Sequence, residues 1–479
     1  MAKRPNIVLF MPETLRADAV FGDPAGRAVT PHMDALGDEG VRLERCYAQH
    51  SVCSPSRCSM FTGLYPHTTG RRTLGTLIRP HEHNLFRDLK EAGYETVVFG
   101  KNDMMFPATA KLSFDRWGGS VEANPDHGGQ YPHAEGDRLF YSFLGGKVGE
   151  KDGTCHDGDW AGLQDALNYL DQDHDKPFCI LIALEYVHPP YVAPEPFFSM
   201  YDRSRMPPPI EVDRSKKRRY AEMIHTNYGL DELTDDEWRE IRAIYFAMTS
   251  RADHQLGQVV DKLKQRKLWD ETALFVFSDH GDFCGDYGLV EKWFSACEDV
   301  ILRVPFIMHV PGRPAVGSRQ ALVEMVDLYP TVLAVAGVED KHYHFGKSLL
   351  PLYDSDAADE HREVVFGEGG HNIDESHIHD IAIPYGGIYY HKHHLWHVDP
   401  KVMAKAWMVR DERYKFIYCP DEFDELYDMA ADGGETTNLA NDPTMAQTVQ
   451  RMKDLLLEWL SRTTDHIPED ESRCDWPDD

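Results

Sequence analysis

Two hydrophobic patterns alternate along this chain. Short unbroken apolar runs at residues 7–11, 96–100, 178–184 and 273–277 have the length of strands buried on both faces. Between them, apolar residues at helical spacing predict helices over 30–39, 56–63, 85–92, 163–171 and 235–266. The punctuation agrees: Thr30-Pro31 opens one helix and Gly40 closes it, while Gly93 ends another. Alternating strands and helices predict an α/β sheet with helices on both faces.

Residues 103–160 and 189–235 are rich in Gly, Pro, Asp and His and poor in regular pattern. In such folds, insertions of this kind gather at the carboxyl ends of the strands, where ligands bind. From about residue 363 the pattern changes. Residues 407–410 and 414–418 read as paired antiparallel strands, and 445–460 as an amphipathic helix able to cover them. The expected division is a catalytic α/β domain over 1–362 and a smaller antiparallel-sheet subdomain over 363–479 that contributes to the pocket, ending in an acidic tail after Thr464.

Length and composition narrow this picture. A chain of 479 residues exceeds one ordinary core, consistent with a large domain and a smaller one. The formal net charge of −30 argues against non-specific binding to nucleic acid or anionic membranes. No run of about eighteen apolar residues indicates a transmembrane helix. The first residues, Met-Ala-Lys-Arg-Pro-Asn, hold no apolar signal segment. Nine scattered cysteines lack paired metal spacing and fit a reduced setting, so a cytoplasmic location is expected. Cys46, Cys58, Cys179, Cys284, Cys297 and Cys419 are expected only to pack.

The most informative segment is Cys53-Ser54-Pro55-Ser56-Arg57. It is accompanied by Arg4-Pro5-Asn6-Ile7-Val8-Leu9, Thr62-Gly63-Leu64-Tyr65-Pro66, Ser278-Asp279-His280-Gly281-Asp282, Arg303-Val304-Pro305-Phe306-Ile307 and Glu425-Leu426-Tyr427-Asp428. In order and spacing these resemble the type I sulfatases, within the alkaline-phosphatase-like superfamily, across nearly the whole chain. That resemblance implies a large mixed sheet with a small C-terminal antiparallel subdomain. It also implies hydrolysis of an organic sulfate ester to alcohol and inorganic sulfate.

Under the resemblance, Cys53 is oxidised by a maturation enzyme to formylglycine, whose hydrate attacks the ester. A thiol alone is a poor catalyst here, because its sulfur product would be hard to release. Arg57 would hold the nucleophile, and a planar, permanently charged guanidinium suits that task. Glu13, Asp279 and His280, with residue 53, would hold one divalent cation. Oxygen-rich ligands favour Ca²⁺ or Mg²⁺, and the histidine admits Mn²⁺ or Zn²⁺. Lys101 matches a lysine that binds nucleophile and sulfate, and Lys292 one that binds sulfate near the leaving group. His188, in His-Pro-Pro, matches a histidine that protonates the leaving alcohol, a role suited to a near-neutral pKa.

Two positions depart from the family pattern. Glu13-Thr14 stands where two adjacent aspartates are usual, and Asp103 where a histidine is usual. Asp103 is open to three readings: a base, a contact to substrate, or a side chain pointing away. These departures keep a phosphodiester or phosphonate monoester hydrolase alive as an alternative. They also leave open a binding protein on a degenerate scaffold. The histidine-rich stretch 371–397, with Tyr389, Tyr390 and Trp396, is expected to be a loop or subdomain edge lining the pocket. The expected partners are a small organic sulfate ester, with a sulfated sugar among the candidates, and the maturation enzyme.

Overall fold

The computed structural model describes residues 4–24, 26–118, 121–123, 131–150, 154–354, 359–375 and 387–464. The strands are β1 (Asn6–Met11), β2 (Val41–Tyr47), β3 (Glu95–Gly100), β4 (Arg116–Trp117), β5 (Leu144–Val148), β6 (Phe178–Ala183), β7 (Tyr191–Pro194), β8 (Thr272–Phe277), β9 (Arg303–His309), β10 (Gly317–Glu324), β11 (Val365–Gly369), β12 (Ala406–Arg410), β13 (Tyr414–Tyr418) and β14 (Glu425–Asp428).

Eight of them form one sheet in the order β10-β2-β9-β8-β1-β6-β3-β4. Its pairs are parallel except at β9, which runs against both neighbours, so the sheet is mixed. At its centre Leu9 pairs with Leu181 on one side and Phe275 on the other. All six residues of β1 are buried. Ile7, Leu9 and Met11 face the helices Cys53–Thr62, Leu85–Glu91 and Leu328–Ala336. Val8 and Phe10 face Pro31–Glu39, Gly158–Leu170 and Asp235–Gln265. Burial of both faces is why these strands read as unbroken apolar runs.

The helix at the pentapeptide spans Cys53–Thr62 and so begins three residues earlier than the spacing predicts. Pro55 falls in its first turn, where its missing N–H breaks no intrahelical bond. Gly63 closes it in the left-handed region at φ 69°. The pattern-poor stretches hold more structure than expected: the helices Pro107–Ser113 and Arg219–Asn227, and β5 paired with β7. Their elements are too short for periodicity to register.

β11-β12-β13-β14 form the expected small antiparallel sheet. Val409, Phe416 and Leu426 pack on Met452, Leu456 and Trp459 of the helix Ala446–Thr463. Met408, Ile417 and Tyr427, on the opposite face, join the main core. Part of the histidine-rich stretch is a helix, Tyr390–Val398, and not a loop. Residues 376–386 and the acidic tail lie outside the described residues.

Candidate active site

Four neighbouring parallel strands deliver the site residues at their carboxyl ends. Glu13 follows β1, Lys101 follows β3, His188 follows β6, and Asp279-His280 follow β8. Gly100 makes the exit from β3 possible: it takes φ +96°, and a Cβ there would lie 2.0 Å from Ala183 O. Cys53 and Arg57 come from the first turns of the helix that packs beneath β1.

These residues converge. Cys53 Sγ donates to Glu13 Oε1 at 2.8 Å and lies 3.2 Å from His280 Nε2. Glu13 takes both its oxygens to Lys101 Nζ, at 2.7 and 2.9 Å. Arg57 Nε donates to Asp279 Oδ2 at 2.9 Å, and its Nη1 donates to the Lys101 carbonyl. Asp279 Oδ1 accepts from the Thr14 and His280 backbone amides. His280 Nδ1 donates to the Gly281 carbonyl at 2.9 Å, which leaves the Nε2 lone pair facing Cys53.

Glu13, Cys53, Asp279 and His280 are all buried, and one ligand atom from each lies within 4.8 Å of the others. Two carboxylates, an imidazole of fixed tautomer and one more donor fit a divalent cation. Thr14 does not extend this set by hydrogen bonding: it sits at φ 62°, and its buried Oγ1 has no hydrogen-bond partner among the described residues. Its carbonyl is held by the Tyr245 hydroxyl at 2.8 Å.

The charges are set by burial and by one another. Burial, reinforced by Glu13, pushes the Cys53 thiol well above its ordinary value. Burial opposes the charge on Lys101, but Glu13, Cys53 and Asp103 together outweigh it and hold the ammonium more firmly than in water. Burial would also raise Asp279, yet His280 and Arg57 hold its carboxyl well below the usual range.

A second group borders this one. Lys292 Nζ contacts His188 Nε2, while His188 Nδ1 donates to the Pro189 carbonyl at 2.6 Å. Burial and then Lys292 push the His188 pKa far down, so its ring is neutral. Lys292 also pairs with Glu291 at 3.2 Å. Glu291 in turn accepts from Lys392 Nζ at 2.9 Å, and Lys392 donates to the Lys292 carbonyl. Despite its burial, Glu291 is held at about 2 by Lys392 and Lys292.

Seven of the nine residues singled out in the sequence, Glu13, Cys53, Arg57, Lys101, Asp103, Asp279 and His280, are joined by direct contacts, and His188 with Lys292 forms a neighbouring pair whose ammonium acts electrostatically on Cys53 and Glu13. Asp103 is among the seven: its Oδ2 is 3.1 Å from Lys101 Nζ, so it turns toward the site. Sequence reasoning missed Glu291 and Lys392. Glu291 adjoins Lys292 and was within reach of inspection. Lys392 sits in a run of histidines on a helix remote in sequence, and no spacing singles it out.

A sulfatase family model matches residues 5–338. The chain is 25% identical over 467 residues to a choline-sulfatase of Rhizobium meliloti, covering 92% of this chain and 83% of that one. It is 24% identical over 538 residues to an N-acetylglucosamine-6-O-sulfatase of Bacteroides thetaiotaomicron, covering 98% and 88%. In fold it resembles the phosphonate monoester hydrolase of Agrobacterium radiobacter, with a TM-score of 0.75, 22% identity and coverage of 97% and 96%. The fold also resembles a structure in complex with its substrate D-glucosamine-2-N,6-O-disulfate, with a TM-score of 0.73, 19% identity and coverage of 98% and 100%. The family match spans the large sheet and all nine residues singled out in the sequence, and this chain belongs to the sulfatase family, hydrolases of sulfuric ester bonds.

Proposed function

We propose that this protein cleaves an organic sulfate monoester through a formylglycine made from Cys53 by a maturation enzyme. The carrying observation is that Cys53 lies within reach of both Glu13 and His280 while Lys101, Arg57 and Asp279 tie the same groups together. In hydrated form, formylglycine supplies a hydroxyl nucleophile and a second hydroxyl through which sulfate is released. Glu13, Asp279, His280 and residue 53 would hold one divalent cation, Ca²⁺ by ligand chemistry, which polarises the ester oxygens when bound.

The remaining work falls to the side chains. Lys101 and Lys292, both held charged in buried surroundings, bind sulfate oxygens and offset the charge that builds in the transition state. Arg57 fixes Asp279 and leaves Nη2, buried without a hydrogen bond among the described residues, near Glu13 at 3.7 Å. The Lys292–His188 pair holds a proton between Nζ and Nε2 and passes it to the leaving alcohol. Asp103, beside Lys101, is the base for the release step.

The leaving alcohol is a sugar in this reading. The relatives named for N-acetylglucosamine-6-O-sulfate chemistry and for a glucosamine disulfate complex support that class. A reducing, cytoplasmic setting is part of the same proposal, supported by eight described cysteines that are buried and unbridged, including the six expected only to pack. A phosphonate monoester or phosphodiester remains the second reading, favoured by the neutral Thr14 beside Glu13 and by the phosphonate monoester hydrolase fold.

The test begins with peptide mass spectrometry to show an aldehyde at residue 53. Turnover of nitrophenyl sulfate is then compared with that of nitrophenyl phosphodiester and phosphonate on the same preparation. Preference for sulfate supports the proposal, and preference for either phosphorus ester transfers the assignment to phosphoryl chemistry.

A further inference from the structure

A second cluster of metal-ligating side chains lies outside the active site. His83 and Asp88 bracket the start of the helix Leu85–Glu91, and His342 comes from the segment after the helix Leu328–Ala336. One ligand atom from each of His83, Asp88 and His342 lies within 4.8 Å of the others. The two imidazole rings stack, with centroids 5.2 Å apart and planes 21° from parallel.

The hydrogen bonding of this cluster is short of positive charge. The Asp88 side chain is fully buried, and among the described residues no lysine or arginine pairs with it. Its Oδ1 accepts from His83 Nδ1 at 3.1 Å, and its Oδ2 from the Tyr329 hydroxyl at 2.7 Å. His342 Nε2 donates to the Thr62 carbonyl at 2.9 Å, so Nδ1 carries a lone pair. That Nδ1 lies 3.2 Å from the same Tyr329 oxygen. Three acceptors, both Asp88 oxygens and His342 Nδ1, thus compete for two protons, one from His83 and one from Tyr329. A cation among them would resolve the shortfall.

We propose that His83, Asp88 and His342 form a structural Zn²⁺ site. Two imidazoles and one carboxylate are a usual zinc donor set, completed by a water at the fourth position. The Thr62 carbonyl plays the outer partner that fixes a ligating histidine's tautomer and ring orientation. His83 is 28% exposed at its side chain, which gives the ion a route in from solvent. A bound ion would join two segments far apart in sequence. Through His342 it would also brace the carboxyl end of the helix that begins at Cys53.

The test measures bound Zn²⁺ per chain after equilibrium dialysis, with the active centre saturated with Ca²⁺. Wild type is compared with His83→Gln, Asp88→Asn and His342→Gln. His83→Gln carries the comparison should the more buried variants fail to fold. The expected result is one Zn²⁺ per chain in wild type and its loss in His83→Gln. Zn²⁺ should also raise the thermal midpoint of wild type alone. Equal Zn²⁺ in wild type and His83→Gln would overturn the proposal and leave a His83–Asp88 hydrogen bond. So would Zn²⁺ that is lost from Glu13→Gln but kept in His83→Gln.

Discussion

Arg57 Nε meets Asp279 Oδ2 at 2.9 Å, and neither side chain exposes any surface to solvent. A buried pair of this kind is costly to break from one side, because the remaining charge has no water to return to. Arg57→Met is expected to destabilise the protein by about 3–5 kcal/mol and to abolish turnover. Arg57→Lys should recover part of the stability, since it keeps the charge but loses the planar fork. Urea unfolding of the two variants checks both expectations.

Lys392 hydrogen-bonds to Glu291 and to the Lys292 carbonyl and touches none of the residues around Cys53 by hydrogen bond among the described residues. It is a positioning residue, and Lys392→Met should lower kcat about tenfold while leaving KM little changed, an effect of about 1.4 kcal/mol on the barrier. Glu291 would be left buried with Lys292 alone. Adding Glu291→Gln to Lys392→Met should therefore restore stability without restoring kcat. A double-mutant cycle read by both unfolding and turnover separates these effects.

Glu291 and His188 are among the groups that predict acid sensitivity. Glu291 has its folded pKa lowered from 4.5 to about 2, so its contribution is present above 4.5 and lost as pH falls toward 2. His188 also has its folded pKa lowered, which means that the unfolded chain takes up a proton first as pH drops below 6.5. Stability should therefore begin to fall below about pH 6.5 and fall further below about 4.5. His188→Gln is expected to lessen the first part of that decline, which His50 and His280, also lowered by burial, share, and to leave the second. Urea midpoints between pH 7 and pH 3 would show it.

The carboxylates and imidazole around Cys53 predict that chelation removes activity and that Ca²⁺ or Mn²⁺ restores it. Loss of one ligand in His280→Ala should raise the metal concentration needed for half-maximal turnover by at least about tenfold. Titrating each cation into chelated wild type and variant, with turnover as readout, measures this.

The sequence alone determined much of this protein. The apolar runs identified β1, β3, β6 and β8, because strands buried on both faces leave an uninterrupted signature. The family resemblance carried by the pentapeptide and its companion segments singled out Glu13, Lys101, His188, Asp279 and His280, and their positions after strands agree with where ligands sit in a parallel sheet. The antiparallel strand β9, the short elements of the two insertions and the helix Tyr390–Val398 were not predicted. Their pairing or burial depends on partners far along the chain, which local periodicity cannot carry. Only the tertiary structure decided that Asp103 turns toward Lys101, that Lys392 holds Glu291, and that His83 and His342 stack beside Asp88. Each of these rests on distances between segments remote in sequence, fixed by how the helices and loops pack around the sheet.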